Sequence, residues 1–275
     1  MKLTKIDINL SDYPADFHQL LTDCEIFDSS CSQEARVTFI DKDNGYFLKT
    51  AKKDSLRRES QMMAYYHTLG LSAKVRSYLS LDKDWLLTEK IQGQDCTDEK
   101  YLADPQKLCQ VYAKYLQMLH SQDYTHCPIQ NHTELYLNSA RSNKQKGNFD
   151  PNYLFDTTIP PTPEAVWAYV EANAHKLQTN TLLHGDYCLP NTILNDWEFS
   201  GFIDIDRGGV GDKHVDIYWG IWTIGYNLTK DIKTYTFADT NLYRQDFIDA
   251  YCKDSNNGTI DTDILRLIGA IETFG

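Results

Sequence analysis

Two short polar segments joined by a predicted β-hairpin constrain this sequence more than any other feature. Residues 184–191 read HGDYCLPN, and residues 203–206 read IDID. Apolar runs rich in β-branched and aromatic residues lie between turn-forming residues, which is typical of two short strands, at 192–194 and 202–205. Such a hairpin would carry Asn191 and Asp204 to the same end of the ribbon, close enough to share a cation.

The order and spacing of three polar residues indicate phosphoryl transfer. Asn191 follows Asp186 by five residues, and Asp204 follows Asn191 by 13. Protein kinases place a catalytic Asp, a metal-binding Asn and a second metal-binding Asp in this order, with the same first gap. The first carboxylate orients the attacking hydroxyl, while the other two side chains hold Mg²⁺ against the phosphates. A metal-dependent hydrolase would need further His or Asp ligands at close spacing, and the sequence has none nearby.

The first third of the chain is predicted to hold a phosphate-binding lysine. Residues 45–50 read as a strand that pairs with 37–40, because Asn44-Gly45 is a strong hairpin signal. A helix over 56–69 follows. Asp54 or Ser55 is expected to cap this helix, and Gly70 is expected to close it.

Glu59 lies on the apolar face of the predicted helix, where an unpaired carboxylate would be costly. Lys49, on the preceding strand, is its expected partner, as in the lysine–glutamate pair of kinases. Pairing with the neighbouring Arg58, or simple exposure, is the alternative for Glu59. His120, at the end of a helical pattern, is expected to be a packed and hydrogen-bonded histidine.

The phosphate-covering loop of protein kinases is glycine-rich, but residues 28–34 (DSSCSQE) contain no glycine. Ser29, Ser30 and Ser32 are candidates to present hydroxyl and backbone N–H groups to phosphates. An ordinary polar turn is the alternative.

Composition excludes several classes of protein. The sequence has no apolar stretch of 18 residues that would span a membrane, and its first residues lack the apolar core of a secretion signal. Seven cysteines without a CxxC pair indicate reduced thiols in a cytoplasm. The formal net charge of −12 argues against a nucleic-acid partner and favours cationic small molecules. We expect a monomer or a weak dimer.

The sequence resembles the aminoglycoside phosphotransferase family of small-molecule kinases, most of all its 3′-O-phosphotransferase branch. The main similarity lies in residues 183–191 and 201–217. Further similarity, from about residue 25 to the end, is found at 46–49, 58–59, 116–121, 127–128 and 271–274. The resemblance implies an α+β, bilobal, protein-kinase-like fold. A β-rich nucleotide-binding lobe (1–91) would precede a mainly helical catalytic and substrate-binding lobe (92–275).

The resemblance also implies an activity and a site. MgATP or MgGTP would phosphorylate a hydroxyl of an aminoglycoside antibiotic and so confer resistance. Asp186 would be the catalytic residue, Asn191 and Asp204 the Mg²⁺ ligands, and Lys49, oriented by Glu59, a phosphate contact. The acceptor would lie against Arg207, Glu272, Asp150 and Asp156. Asp216 would anchor the catalytic loop.

Two departures from the family pattern leave alternatives open. Asp206 stands where glycine is expected, and Ile271 replaces an acid beside Glu272. These changes fit a kinase for another amine-bearing metabolite, of the choline kinase type. Asp206 would be a second metal ligand or a partner for Arg207. A non-catalytic nucleotide-binding module is disfavoured, because every residue of the expected catalytic set is present.

Overall fold

The computed structural model describes residues 3–31, 34–155, 158–230, 236, 238–253 and 259–275. In chain order, its strands and helices are β1 (Thr4–Lys5), α1 (Ala15–Leu21), β2 (Glu25–Asp28), β3 (Ala35–Asp41), β4 (Tyr46–Lys52), α2 (Arg57–Thr68), β5 (Val75–Ser80), β6 (Lys83–Glu89), β7 (Gln94–Asp95), α3 (Glu99–Leu102), α4 (Pro105–His120), α5 (His132–Gln145), α6 (Pro163–Asn173), β8 (Thr181–Leu183), β9 (Thr192–Asn195), β10 (Glu198–Phe202), β11 (Gly209–Gly211), α7 (His214–Lys230), α8 (Thr240–Lys253) and α9 (Thr262–Glu272). Among these described residues, no helix combines the length and the apolar character needed to cross a membrane.

The chain divides into two compact units whose borders differ from the predicted lobes. The first unit comprises Met1–Asp95 and Thr192–Asp206, and the second comprises Cys96–Asn191 and Arg207–Gly275. The predicted lobe boundary, after residue 91, precedes Asp95, where the first segment of the first unit ends. The first unit includes β7 because this strand pairs with β9, with Asp95 opposite Ile193. The β9–β10 hairpin was assigned by sequence to the second lobe, but its strand pairing places it in the first unit.

An antiparallel sheet with the order β1-β2-β3-β4-β6-β5 forms most of the first unit. The tight turn between β3 and β4 uses Gly45 at φ +92°, a conformation that favours glycine. Apolar side chains on one face of the sheet, including Ile40, Leu48 and Trp85, form one buried cluster with Phe17 and Leu21 of α1. The predicted hairpin of this sheet is confirmed, since β3 pairs with β4.

The helix that carries Glu59 begins differently from the prediction. Leu56 occupies the N-cap position of α2, without a capping hydrogen bond from its side chain. The Leu56 backbone N–H instead donates over 2.9 Å to Oδ2 of Asp84, which lies at the start of β6. The predicted capping by Asp54 or Ser55 is therefore wrong, because a buried carboxylate from a neighbouring strand supplies the acceptor. At the other end Gly70, at φ +73°, follows the helix as expected.

The second unit is mainly helical. Helix α4 packs against α8, α7 packs against α8 and α9, and α6 packs against α9. The short strand β8 pairs antiparallel with β11, and Leu183 lies opposite Gly209. In the sequence, these two residues flank the polar segments 184–191 and 203–206. The sheet-rich first unit and helical second unit agree with the predicted α+β class.

Candidate active site

Lys49 joins two carboxylates within the first unit. Its Nζ atom lies 2.9 Å from Glu59 and 2.6 Å from Asp204 Oδ1. Lys49 is held in the middle of the sheet, paired with Val37 on β3 and Leu86 on β6. The predicted Lys49–Glu59 ion pair is confirmed. The contact with Asp204 was not predicted.

The burial of this cluster controls its charge state. Burial raises the pKa of the Glu59 carboxyl to about 7. The positive charge of Lys49 acts to lower this pKa, whereas the negative charge of Asp204 acts to raise it. Burial lowers the pKa of the Lys49 ammonium, but the charges of Glu59 and Asp204 outweigh burial and hold that pKa above its ordinary value. Lys49 therefore stays protonated.

Asp204 reaches Lys49 through an uncommon backbone conformation. It lies just after β10 with φ +56°, in the left-handed region that aspartate adopts more readily than most side chains. The sequence predicted a strand over 202–205, but β10 ends at Phe202. The predicted second strand is thus shifted toward the N-terminus. Its pairing survives, since Phe202 lies opposite Thr192.

In the second unit, a single buried carboxylate holds the start of the HGDYCLPN segment. Asp216 accepts hydrogen bonds from the backbone N–H groups of His184 and Gly185, each over 2.8 Å. His120 Nε2 lies 3.2 Å from the same carboxylate, and its Nδ1 lies 2.7 Å from the Tyr251 hydroxyl. Both predictions, of Asp216 as an anchor and His120 as a packed histidine, are confirmed.

Gly185 permits this loop to pass close to Arg207. It has φ +83°, and a Cβ atom at this position would lie 2.1 Å from the Arg207 carbonyl oxygen. Any other residue would push the two segments apart. Glycine thus fixes the approach of residue 207 to the segment that carries Asp186.

Asp186 is half-buried, and each of its carboxylate oxygens has a donor. Asn191 Nδ2 lies 3.0 Å from Asp186 Oδ2 and 3.0 Å from the Asp186 carbonyl oxygen. The Cys188 thiol donates to Asp186 Oδ1 over 3.2 Å. Burial raises the pKa of the Cys188 thiol, which therefore stays protonated. Because its NH₂ group faces Asp186, the Asn191 amide is oriented with its oxygen directed elsewhere.

Glu272 is buried at the end of α9, as expected for a packed terminal helix. Its Oε1 atom accepts from the Tyr136 hydroxyl over 2.7 Å and from Trp219 Nε1 over 3.0 Å. Burial raises the pKa of the Glu272 carboxyl to about 7, against the two hydrogen bonds and the positive charge of Arg207. The carboxylate is thus poised to change its charge near neutral pH.

Of the other predicted acceptor residues, Asp150 lies next to α9. Its backbone N–H donates to the Thr273 carbonyl over 2.7 Å, and its carboxylate accepts from Asn152 N over 2.9 Å. The side chain of Asp150 is exposed. Asp150, Arg207 and Glu272 are therefore grouped in the second unit. Asp156 lies outside the described residues.

The serine-rich segment closes the β2–β3 hairpin. Ser30 Oγ accepts from Val37 N over 2.9 Å, and Ser30 N donates to Asp28 Oδ1 over 2.8 Å. Ser29 is buried, and its N–H donates to the Val37 carbonyl. A phosphate contact by Ser29 or Ser30 remains a prediction, and a contact through their backbone N–H groups requires these bonds to be exchanged. Ser32 lies outside the described residues.

Comparison with known proteins identifies the family. A family model described as a phosphotransferase enzyme family (APH) matches residues 28–263, which is most of the chain. The chain belongs to the phosphotransferase enzyme family. It is therefore an enzyme of the phosphotransferase class.

One relative of this phosphotransferase is similar along its whole length. A protein of Lactococcus lactis subsp. lactis (strain IL1403), named "Probable aminoglycoside 3'-phosphotransferase", is 42 % identical over 274 residues, which cover 99 % of both chains. The crystal structure of an aminoglycoside-3'-phosphotransferase of type VIII has a TM-score of 0.75 at 19 % identity and 96 % coverage of both chains. A Streptomyces rimosus aminoglycoside phosphotransferase in complex with ADP and streptomycin has a TM-score of 0.68 at 19 % identity, covering 87 % of this chain and 90 % of that one. These structures confirm the predicted kinase-like α+β fold.

Several contacts of this phosphotransferase were missed by sequence reasoning. Tyr136 and Trp219 hold Glu272, and no local sequence pattern distinguishes them from the other tyrosines and tryptophans. The hydrogen bond from the Cys188 thiol to Asp186 was not predicted either. The Lys49–Asp204 contact links residues 155 positions apart, so no local pattern indicates it.

Proposed function

We propose that this phosphotransferase transfers the γ-phosphate of a nucleoside triphosphate to a hydroxyl of an aminoglycoside antibiotic and thereby confers resistance. The observation that carries the proposal is the whole-length similarity to a named aminoglycoside 3'-phosphotransferase, at 42 % identity. The 3′-phosphotransferase name of that relative supports a 3′-hydroxyl acceptor, and the ADP bound in the Streptomyces rimosus complex supports a nucleotide donor. ATP and GTP are both candidate donors.

We propose that Asp186 aligns the acceptor hydroxyl for in-line attack and takes up its proton as the new bond forms. Its carboxylate is held by Asn191 and Cys188, so its orientation is fixed before the acceptor arrives. The anchoring of the loop by Asp216 supports this role, because it fixes the backbone two residues away. Catalysis then depends on positioning and on charge neutralisation rather than on a covalent intermediate.

Lys49 is proposed to bind the phosphates of the donor, with Glu59 holding its ammonium group in place. The contact with Asp204 keeps Lys49 extended toward a residue whose side chain is about half-exposed. Glu59 is buried on one side of the Lys49 ammonium group, whereas Asp204, on the other side, is accessible to solvent and ligands. Ser29, Ser30 and Ser32 are proposed as further donors to the phosphates.

We propose Asn191 and Asp204 as ligands of a Mg²⁺ ion, which prefers oxygen ligands and keeps several waters and phosphate oxygens. Asn191 offers an amide oxygen, since its NH₂ group is used by Asp186. Asp204 offers a carboxylate that is about half-exposed. Among the described residues, no cluster of three His, Cys, Asp or Glu side chains forms a metal site, so phosphates and waters would complete the coordination. When bound, the ion would neutralise charge on the transferred phosphoryl group.

The acceptor is proposed to bind through its ammonium groups to the acidic residues of the second unit. Glu272 and Asp150 are joined through Thr273, and Arg207 lies at their edge. Asp156 is a proposed further contact. A choline-type amino alcohol is the alternative acceptor, favoured by Asp206 and Ile271 in the sequence. The free state of all seven cysteines supports a cytoplasmic enzyme.

The proposal is tested by acceptor-dependent release of ADP or GDP in the presence of Mg²⁺. We expect turnover with kanamycin- and neomycin-type acceptors and none with their 3′-deoxy analogues. Turnover with choline-type amines alone would replace the aminoglycoside by a metabolite. Expression in a sensitive bacterial strain should raise the concentration of antibiotic that stops growth, and expression of Asp186→Ala should not.

Replacing Glu272 by glutamine should separate acceptor binding from stability. The folded pKa of about 7 lies above the ordinary value of 4.5, so the folded state binds this proton more tightly than the unfolded state. The stabilisation is complete below pH 4.5 and lost as pH rises through 7. Glu272→Gln, which mimics the protonated form, should therefore raise the free energy of unfolding at pH 8 by up to about 3 kcal/mol and change it little at pH 5.

The same variant should bind the acceptor more weakly. A lost charge-assisted hydrogen bond is expected to raise the acceptor KM at pH 8 by about tenfold or more. Thermal unfolding at both pH values and acceptor KM at pH 8 are the measurements, with Glu164→Gln on the exposed start of α6 as the control. A variant that is less stable than wild type at pH 8 would contradict the assigned pKa.

A further inference from the structure

The side chain of Thr223, on α7, bonds to the segment that carries Asp186. Its hydroxyl oxygen accepts hydrogen bonds from the Leu189 backbone N–H over 3.1 Å and from Asn227 Nδ2 over 2.8 Å. Thr223 is 1 % exposed and Asn227 is 6 % exposed, so both bonds are shielded from water. Helix α7 is thereby joined to the turn at residues 189–191, against which it packs.

The Thr223 hydroxyl is used differently from that of another threonine on the same helix. A threonine inside a helix can donate its hydroxyl hydrogen to the carbonyl oxygen four residues earlier. Thr229 does this with Gly225 over 2.8 Å. The Thr223 hydroxyl instead accepts from a loop residue 34 positions earlier in the sequence. Its hydrogen bonds therefore serve the loop as well as the helix.

The donors and acceptors around Thr223 fix the direction of its remaining hydrogen bond. A threonine hydroxyl has two acceptor lone pairs and one hydrogen to donate. The Thr223 backbone carbonyl can only accept, and it lies 2.9 Å from Asn227 Nδ2, so Asn227 presents its NH₂ group on this side. Asn227 and Leu189 therefore occupy both lone pairs of the Thr223 hydroxyl. The hydroxyl hydrogen is left to donate to another acceptor.

That acceptor is the sulfur of Cys188, which lies between Thr223 and Asp186. Burial raises the pKa of the Cys188 thiol, whereas a hydrogen bond from the Thr223 side chain acts to lower it. The thiol keeps its own hydrogen and donates it to Asp186 Oδ1, 3.2 Å from the sulfur. Hydrogen bonds therefore run in one direction, from Asn227 through Thr223 and Cys188 to the carboxylate of Asp186.

We propose that Thr223 is a positioning residue, which acts through the Cys188 thiol to hold the Asp186 carboxylate in the orientation that receives the acceptor hydroxyl. The inference rests on the proposed function, in which Asp186 aligns that hydroxyl. Asn191 holds the other carboxylate oxygen, Oδ2, over 3.0 Å. With a donor at each oxygen, the carboxylate cannot rotate without losing a hydrogen bond, so its orientation is kept while acceptors exchange.

The thiol needs Thr223 because it is a weak donor with a freely rotating hydrogen. A hydroxyl that donates to the sulfur favours the rotamer in which the thiol hydrogen points away from Thr223 and toward Asp186. Hydrogen bonds in a chain also polarise one another, so loss of the hydroxyl weakens the last bond of the chain. A catalytic carboxylate that is less well oriented lowers kcat, while substrate binding changes little.

The test measures kcat and KM for variants along this chain of hydrogen bonds. Thr223→Val keeps the shape of the side chain without its hydroxyl, and Cys188→Ala removes the thiol but leaves the bond between Thr223 and Leu189. Each is expected to lower kcat with kanamycin by about tenfold, with both KM values within about twofold of wild type. The double variant should lose no more than about the larger single loss, because both changes remove the same contact with Asp186. Thr223→Ser restores the hydroxyl and should recover the wild-type kcat.

Two controls separate positioning from folding. In an Asp186→Ala background, Thr223→Val should leave the residual kcat unchanged, because the carboxylate on which Thr223 acts is absent. Thr229→Val removes a hydroxyl that bonds only within α7 and should change neither constant. Thermal unfolding identifies any variant that fails to fold, and Cys188→Ala decides the proposal if Thr223→Val is one of them. An unchanged kcat, or an equal loss with and without the Asp186 carboxylate, would overturn the proposal.

Failure of the proposed function is distinguished by the activity of the wild type. If the wild type phosphorylates kanamycin and the variants keep its kcat, only the role of Thr223 is wrong. If it phosphorylates a choline-type amine instead, the aminoglycoside is wrong, and the same comparison is made with that amine. If it phosphorylates neither, the proposed function is wrong, and crystal structures of the wild type and Thr223→Val decide the positioning. A rotated Asp186 carboxylate in the variant would support it, and the same orientation in both would overturn it.

Discussion

Replacing Asp186 by alanine is expected to lower kcat by about 10²- to 10⁴-fold, the usual contribution of a positioned acid or base. Its carboxylate is the group proposed to align the acceptor hydroxyl, and no neighbour on the same loop can replace it. Cys188 offers a protonated thiol and Asn191 offers an amide, neither of which accepts a proton at neutral pH. The KM values for nucleotide and acceptor should change much less than kcat.

Two further variants distinguish catalysis from structure at this position. Asp186→Asn retains the shape of the side chain but not its charge, so it should lose nearly as much activity as alanine. Asp249→Asn, an exposed acid on α8, should keep full activity. Thermal unfolding of all three proteins should remain close to wild type. A kcat for Asp186→Asn within tenfold of wild type would show that charge at Asp186 is not required, and the assignment would fail.

Local sequence patterns predicted the elements around the site but not the contacts that complete them. The β3–β4 hairpin follows from Asn44-Gly45 and alternating side chains, and the pairing of Lys49 with Glu59 follows from a buried carboxylate that needs a cation. The start of α2 did not follow, because the acceptor for the N–H group of its N-cap residue, Leu56, is Asp84, 28 residues away. A cap supplied from a neighbouring strand leaves no signal near the helix.

Structural features outside residues 202–205 also explain why the strand predicted there is wrong. Residues 202–205 form a short apolar run rich in β-branched and aromatic residues, which favours a strand, yet β10 covers Glu198–Phe202. Asp196 and Trp197 both adopt positive φ in the turn, and the register shifts between Phe199 and Gly201. These tertiary features move the strand and leave Asp204 outside it. The contact between Asp204 and Lys49 depends on that displacement, so it was not predictable from periodicity.

The aromatic contacts of Glu272 show a further limit of sequence reasoning. An acid near a packed chain end predicts hydrogen-bond donors, because an unpaired buried carboxylate is costly. The sequence has 18 tyrosines and five tryptophans, so composition does not identify which of them serve. The selection of Tyr136 and Trp219 follows from the packing of α7 against α9 and of α5 against α9.

Replacing Lys49 by methionine is expected to reduce both stability and activity, for different reasons. The substitution leaves Glu59, whose side chain is 4 % exposed, without its cation. Removing one partner of a buried ion pair typically costs about 3–5 kcal/mol. The nucleotide KM should rise and kcat should fall, because the proposed phosphate contact is lost. Urea unfolding and steady-state kinetics with varied nucleotide are the measurements.

A second substitution separates the two effects. The Lys49→Met/Glu59→Gln double variant has no buried carboxylate to compensate, so it should recover most of the lost free energy of unfolding. It should remain inactive, because no cation faces the phosphates. Glu59→Gln alone should cost less stability, about 1 kcal/mol, since Lys49 keeps Asp204 as a partner.

An exposed ion pair at the start of the same helix provides the matched control. Arg57 and Asp54 are paired, but their side chains are 59 % and 55 % exposed. Arg57→Met should therefore change the free energy of unfolding by less than about 1 kcal/mol and leave the kinetics unchanged. Recovery of activity together with stability in the Lys49→Met/Glu59→Gln variant would mean that Lys49 serves only to neutralise Glu59. Its proposed contact with the donor phosphates would then be wrong.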